Sequence, residues 1–531
     1  MGRIACLALA AAITVGPASG AVAKTLVYCA EGSPAGFDPA LHTDPVTLDA
    51  SAQAIYNRLV EFRPGTAEIV PALAERWDVS KDGREYTFHL RDGVKFHSTP
   101  SFTPGRDFNA DDVVFSLGRQ WRADGPWQDY AGGSWPWFEG LSLPTLIESI
   151  RRDDDRTVTF VLRQPYAPFL ADLAMDFASI LSKEYADQLL VAGTPEKLDQ
   201  EPVGTGPFRL EENRPGAVVR YAANTDYWRV RPSLDSLVFD ITPDSGVRFE
   251  KLKAGECQMI TSPNPSDVAA IRDEAGLKLL QGRELALAYL AFNATLPPSD
   301  MTAARRAIAQ AIDKQAIVAD VFSGDAVAID SVLPEPMLGG TDTAAAPYDA
   351  ATATEAVTAA GLQGAKLRLW VLPGVRPYNP DSGRMASAIR NQLRAAGLDV
   401  EIVTPSPEDF ANSSLTPDRD GAVLHGWVSD NGDPDNLLAP LLGCEAAGIA
   451  NRTMWCNAGF DALLAEARAT VDPSARAPLY ASAARIVAAE APLVPIAAPL
   501  DTVATVDAVE GYVVSPFGRH NFETVDIVGG N

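Results

Sequence analysis

The second half of this sequence predicts an α/β protein with an open sheet, on three observations. Leu367, Leu369 and Val371 alternate with Arg368 and Trp370, the period of a strand. Met385, Ile389, Leu393 and Ala396 then recur at helical spacing, with Ser382 as a candidate cap and Gly397 just past the end. Val400 and Ile402 begin another strand. Strand, helix and strand in succession form a β-α-β unit, which implies parallel strands and a right-handed crossover.

The other elements follow in chain order. Thr25 to Cys29 reads as an early strand, and Tyr86 to Arg91 and Thr157 to Arg163 alternate apolar with polar residues. Asn109 is placed to cap a helix, with Asp112 at the third helical position and Phe108 stapled onto Val113. Pro297-Pro298 and Gly339 to Pro347 are loop-like. A strand is expected over Ala422 to Trp427, and Asp472-Pro473 opens a long Ala-rich helix.

Composition narrows the function classes. The 531 residues carry 69 Asp and Glu against 44 Lys and Arg, a formal charge of −25, so a phosphate-neutralising surface for nucleic acid is not the dominant feature. The length calls for two or three domains. At the start, Arg3 precedes an apolar run from Ile4 to Val15, and Ala21-Val22-Ala23 is a small-x-small site. This pattern is an export signal cleaved after Ala23, too short to span a bilayer. Cys6 leaves with it. Four cysteines remain, Cys29, Cys257, Cys444 and Cys456, an even number in an oxidising compartment. Two disulfides are expected, with three pairings open; Cys444 and Cys456 are near enough in sequence to close a small loop, which would leave Cys29 with Cys257.

Ligands of open α/β sheets bind at the carboxyl ends of the strands. Arg376 lies in the turn after the strand ending near Leu372, and Asp430 lies just beyond the strand ending at Trp427. A planar cation and a carboxylate on one rim suit a ligand charged at both ends. Taken alone, the pattern more often describes two solvated loop charges. The sequence has no GxSxG, HExxH or GxxxxGK[ST] motif, so no enzyme, cofactor or metal is expected. The five histidines, His42, His89, His97, His425 and His520, lack metal spacing. Gly204 to Pro207 reads as a turn, and Asp433 and Asp435 lack the remaining ligands of a calcium loop.

Leu73 to Trp77, Tyr86 to His97 and Phe108 to Val113 resemble the signature of the peptide and nickel class of extracytoplasmic solute-binding proteins. Leu26 to Pro34, Asp172 to Asp187, Arg376 to Pro380 and Asp430 to Asn436 are similar to its dipeptide-binding members. The resemblance implies two lobes joined by a two-strand hinge, with an extra subdomain in the first lobe and ligand enclosed between the lobes. The boundaries expected are a signal over 1–23, lobe I over 24–283 with a subdomain at about 56–205, lobe II over 284–501, and a return to lobe I over 502–531. The hinge falls near Gly282 to Leu285 and Pro499 to Thr502. The resemblance also implies that the four cysteines form the family's two bridges. It gives the ammonium of a short peptide to Asp430 and its carboxylate to Arg376. Trp427, Tyr378, Gly432, Thr43 and Trp135 become candidate pocket residues. Delivery to an ABC permease of the inner membrane by a monomeric periplasmic protein completes the picture. Departures from the pattern are Asp44-Pro45-Val46 and the aromatic patch Trp127, Tyr130, Trp135, Trp137 and Phe138, which either reshapes a pocket or packs the subdomain. The competing readings are a binder of haem, a metal chelate or longer oligopeptides on the same fold, and a secreted hydrolase.

Overall fold

The computed structural model describes residues 23–529 apart from 123–124, 131, 335–336 and 341–346. The expected export signal as far as residue 22, Cys6 with it, and the middle of the Gly339–Pro347 loop lie outside the described residues.

Twelve strands of the described chain share one mixed sheet. In chain order they are β1 (Thr25–Ala30), β2 (Phe208–Arg214), β3 (Val218–Ala223), β4 (Ser236–Ile241), β5 (Met259–Thr261), β6 (Leu277–Arg283), β7 (Ala286–Phe292), β8 (Ala326–Ala328), β9 (Lys366–Val371), β10 (Asp399–Val403), β11 (Ala422–Val428) and β12 (Leu493–Val506). The spatial order is β10-β9-β11-β7-β12-β5-β1-β4-β3-β2, with β6 and β8 also paired to β12. β9 runs parallel to β10 and β11, as the β-α-β pattern requires. The second-half sheet is nonetheless mixed, because β7 is antiparallel to both β11 and β12.

One long strand ties the two lobes together. Residues 493–499 of β12 pair with β7 and β8, and residues 500–506 pair with β6 and β5. β7 is buried along its whole length. Ala288, Leu290 and Phe292 join one core cluster, while Leu287, Tyr289 and Ala291 join another on the opposite face. A strand covered on both sides must be apolar at every position, so it shows no alternation in sequence.

In the first lobe, a four-stranded antiparallel sheet stands apart from the large one: Ala74–Val79, Glu85–Leu90, Thr157–Leu162 and Ile147–Asp154, in that spatial order. The helix Ala110–Trp121 begins at Asn109 with the expected capping box. Two other caps bear on the sequence reading. Asp381, not Ser382, caps the helix Ser382–Ala395, its carboxylate accepting from Arg384 N at 2.9 Å. Asp472 caps the helix Pro473–Glu490 as expected. Disulfides join Cys29 to Cys257, with Cα atoms 5.8 Å apart, and Cys444 to Cys456, 4.6 Å apart. No helix among the described residues is long and apolar enough to cross a membrane.

Candidate functional site

The site is built around the loop that leaves β11. Ser429 N donates to Leu285 O at 2.7 Å, tying the loop to the start of β7. Asn436 Oδ1 accepts from Asp430 N at 3.0 Å and from Ser429 Oγ at 3.3 Å. Asp433 caps the helix Pro434–Leu442 and is gripped at 2.8 and 3.0 Å by both terminal nitrogens of Arg476. Arg468 holds Asp435 at 2.8 Å. The two aspartates that hint at calcium in the sequence are thus neutralised by arginines. Gly432 has φ +70, and a Cβ there would lie 2.8 Å from Ala67 Cβ and 3.1 Å from Phe517 Cζ. The loop therefore needs glycine to pass this close to the first lobe.

A cavity of about 280 Å³ lies between the lobes. Pro377, Val428, Ser429 and Asp430 line it from the second lobe; Thr43, Pro45, Trp137 and Asp176 are among its residues from the first. Its charged wall is mostly self-paired. Asp176 accepts from Gln53 Nε2 at 2.7 Å and Arg519 Nε at 2.8 Å, with Arg58 Nη1 at 3.5 Å. Arg229 pairs with Glu61 and, at 3.3 Å, with Glu523. Asp430 differs. Among the described residues it has no ion-pair partner, and burial pushes its carboxyl up to about 6, opposed by the Asn436 amide and the more distant Arg519.

Next to it, the lobes touch through a buried hydrogen bond. Asn431 Nδ2 donates to Asp172 Oδ1 at 2.7 Å. Both side chains are almost wholly buried, and the second oxygen of Asp172 has no hydrogen-bond partner among the described residues. Burial drives the Asp172 carboxyl well above its usual range; the Asn431 amide opposes this, and Asp433, Asp435 and Asp430 add to it.

The family of bacterial extracellular solute-binding proteins, family 5 (middle), matches residues 68–448. The dipeptide-binding protein of Escherichia coli is 46% identical over 508 residues, 95% of each chain. This chain belongs to family 5 of the solute-binding proteins. It is extracytoplasmic by family, and a binding protein, not an enzyme. The heme-binding protein A of Haemophilus influenzae is 41% identical over 508 residues, 95% of this chain and 93% of that one. The crystal structure of a dipeptide-binding protein from Pseudoalteromonas in complex with Met-Leu superposes with a TM-score of 0.75 at 36% identity, covering 95% of this chain and 100% of that one.

The expected site residues of this family-5 protein separate into two groups. Asp430 and Thr43 line the cavity, and Gly432 shapes the loop beside it. Arg376 stands on the same sheet rim but outside that lining: its Nη1 donates to Val375 O at 2.7 Å, and only the next residue, Pro377, reaches the cavity. Arg376 and Asn379 exchange backbone hydrogen bonds at 2.9 Å, which makes this turn tight. Tyr378 packs over Gly426, where a Cβ would run into its ring, and its ring centre lies 5.6 Å from that of His425. His425 is itself stacked 5.9 Å from Phe410. Trp427 is half-buried against the second-lobe core, and its indole N–H has no partner among the described residues.

Trp135 is sited in the core of the first lobe, not on the cavity. It is 1% exposed, and the Arg119 guanidinium lies 5.0 Å above its ring. That arginine holds the fully buried Asp38 at 2.5 and 2.7 Å, and Tyr130 donates to the same carboxylate. Most of the aromatic patch therefore packs the subdomain around a buried ion pair. Trp137 is its member on the cavity, with Nε1 donating to His42 O at 3.1 Å. Asp44 caps the helix Pro45–Ser51, a structural role for one departure from the family pattern. The residues that sequence reasoning missed are Asp176, Arg58, Glu61, Arg229, Arg519 and Glu523. They come from four distant segments and share no motif; each alone reads as a surface charge.

Proposed function

We propose that this family-5 protein captures short peptides, dipeptides first, between its lobes in the periplasm and delivers them as a monomer to an ABC permease. The observation that carries the reading is Asp430. A carboxylate enclosed in a cavity with no ion-pair partner among the described residues is costly to keep ionised, and a ligand ammonium removes that cost. Arg376 then receives the peptide carboxylate from the neighbouring strand end once its side chain turns from Val375 O. The dipeptide-binding relatives and the Met-Leu complex support the same ligand class. Hinge bending near Gly282 to Leu285 and Pro499 to Thr502 fits a β12 whose two halves pair with different strand sets. The export signal expected from the sequence supports the periplasmic location.

The haem-binding relative raises a second reading, so the test includes both ligands. Calorimetry with Ala-Ala, a tetrapeptide and haem should show the dipeptide binding most tightly. Haem as the tightest ligand, or no peptide binding at all, would overturn the proposal. Small-angle scattering with saturating dipeptide should show a smaller radius of gyration, and an unchanged radius would refute the hinge.

A further inference from the structure

The cavity wall across from Asp430 carries two charged clusters of opposite local balance. Glu61 and Glu523 share one guanidinium, that of Arg229. Arg229 gives Nη2 to Glu61 and reaches Glu523 only through Nη1, at 3.3 and 3.4 Å. Two carboxylates against one cation leave a surplus of one negative charge. The side chains are 13% and 16% exposed, enclosed yet still open to an incoming group. Beside them Phe62 and Phe517, with ring centres 4.3 Å apart, give the same cavity an apolar surface.

An unbranched basic side chain suits such a surface. Its methylene stem covers aromatic rings while its charged head reaches a carboxylate. An enclosed carboxylate pair holding one arginine gains from a second cation and repels an anion. The other cluster is the reverse, Arg58 and Arg519 on the one carboxylate of Asp176, but its Arg519 charge also acts on Asp430, which leaves the Glu61–Glu523 pair as the part of the wall short of a cation.

We propose that the Glu61–Arg229–Glu523 wall makes this protein prefer peptides with one basic side chain, lysine or arginine, whose cationic head is held by Glu523 and Glu61. The inference rests on the peptide-binding reading above and goes beyond it by naming the side-chain class. The glutamates are specificity-determining residues; Asp430 remains the ammonium site.

The test is calorimetry at pH 7 with two-residue peptides carrying lysine, norleucine or glutamate at either position and alanine at the other. Norleucine keeps the stem and removes the charge. In one of the two placements lysine should bind about tenfold tighter than norleucine, and glutamate more weakly than norleucine. Glu523→Gln and Glu61→Gln should each reduce the lysine-to-norleucine ratio to about threefold or less. Equal affinity of lysine and norleucine peptides in both placements overturns the inference, as does a ratio unchanged in both variants. Should either variant fail to fold, the wild-type ratio decides alone. Peptide binding without a lysine preference sinks this inference and leaves the proposed function standing; failure of every peptide sinks both.

Discussion

Replacing Asp430 by asparagine keeps the shape of the side chain and removes its charge. In the unliganded cavity the carboxyl is raised from 3.8 to about 6 by burial. At ~1.4 kcal/mol per tenfold, that difference costs the fold about 3 kcal/mol wherever Asp430 is ionised. The sign follows from linkage. A carboxyl raised in the folded state adds stability below its unfolded value, and that stability is lost as pH rises from about 4 to about 6. Asp430→Asn should therefore raise the stability of the closed, ligand-free form above pH 6 by up to about 3 kcal/mol, read from urea denaturation and less by whatever share of the wild type stands open, and have little effect near pH 4. Affinity should move the opposite way. Removing one partner of an enclosed charge pair costs about 2–5 kcal/mol, so dipeptide binding should weaken roughly 30-fold or more. The pH profile ties the two effects together. Binding needs the carboxylate, so wild-type affinity should fall about tenfold per unit below the pH at which the ligand-free carboxyl protonates, about 6 where the empty lobes are closed and about 4 where they are open. It should fall again above about 8, where a peptide amino group loses its proton. The variant should keep the alkaline limb and lose the acid limb in titration calorimetry. An acid limb that survives in Asp430→Asn would refute the assignment of the ammonium to this residue.

Four further outcomes follow from the same geometry. Asn431→Ala removes the partner of the buried Asp172 oxygen and should speed dipeptide release several-fold in stopped-flow measurements; an unchanged rate would deny this contact a part in holding the lobes closed. Arg376→Lys should weaken dipeptides but not their C-terminal amides, because an ammonium lacks the planar fork; equal losses for both would remove Arg376 from the carboxylate site. Trp137→Phe should lower affinity with little change in melting temperature, and Trp135→Phe should do the reverse; matching effects would contradict their different placements. Replacing both cysteines of a bridge by alanine should cost about 3 kcal/mol for Cys444–Cys456 and about 5 kcal/mol for Cys29–Cys257 in the chain-entropy estimate, because the second closes the longer loop. Denaturation midpoints falling in the opposite order would reject that account.

The features legible in the sequence are those set by local spacing. The alternation at Leu367 to Val371 and the Asn109 capping box depend on neighbours within a few positions, and both form as expected. β7 was illegible for a physical reason. Buried on both faces, it has no period, and its antiparallel pairing with β12 depends on residues some 200 positions away, which makes the sheet mixed. The site divides along the same line. Asp430 can be located because a strand end predicts a rim. The wall facing it cannot, since Arg519 and Asp176 meet across 343 positions and Arg229 and Glu523 across 294. Trp135 and Trp137 are two residues apart with the same side chain, and no local pattern tells the core residue from the cavity residue.

Asp430 also links binding to closure. In the hinge mechanism proposed here, an open cleft leaves this carboxylate in water, where it ionises in the ordinary range. Closure around an empty cavity encloses it with no ion-pair partner among the described residues, at a cost of about 3 kcal/mol or of one bound proton. The same closure forms the Asn431–Asp172 hydrogen bond and brings Gly432 against Ala67 and Phe517, contacts that favour the closed state whether or not ligand is present. An ammonium on Asp430 cancels the enclosed charge while those contacts remain. A difference of about 3 kcal/mol is roughly a hundredfold shift in the open–closed ratio, and a ligand shifts such a ratio only by its differential affinity for the two states. Asp430→Asn should then close more readily when empty and compact less on adding peptide. Small-angle scattering of the ligand-free variant at pH 8 should give a radius of gyration nearer to that of the peptide-saturated wild type. A ligand-free variant as open as the ligand-free wild type would show that the enclosed charge does not hold the lobes apart.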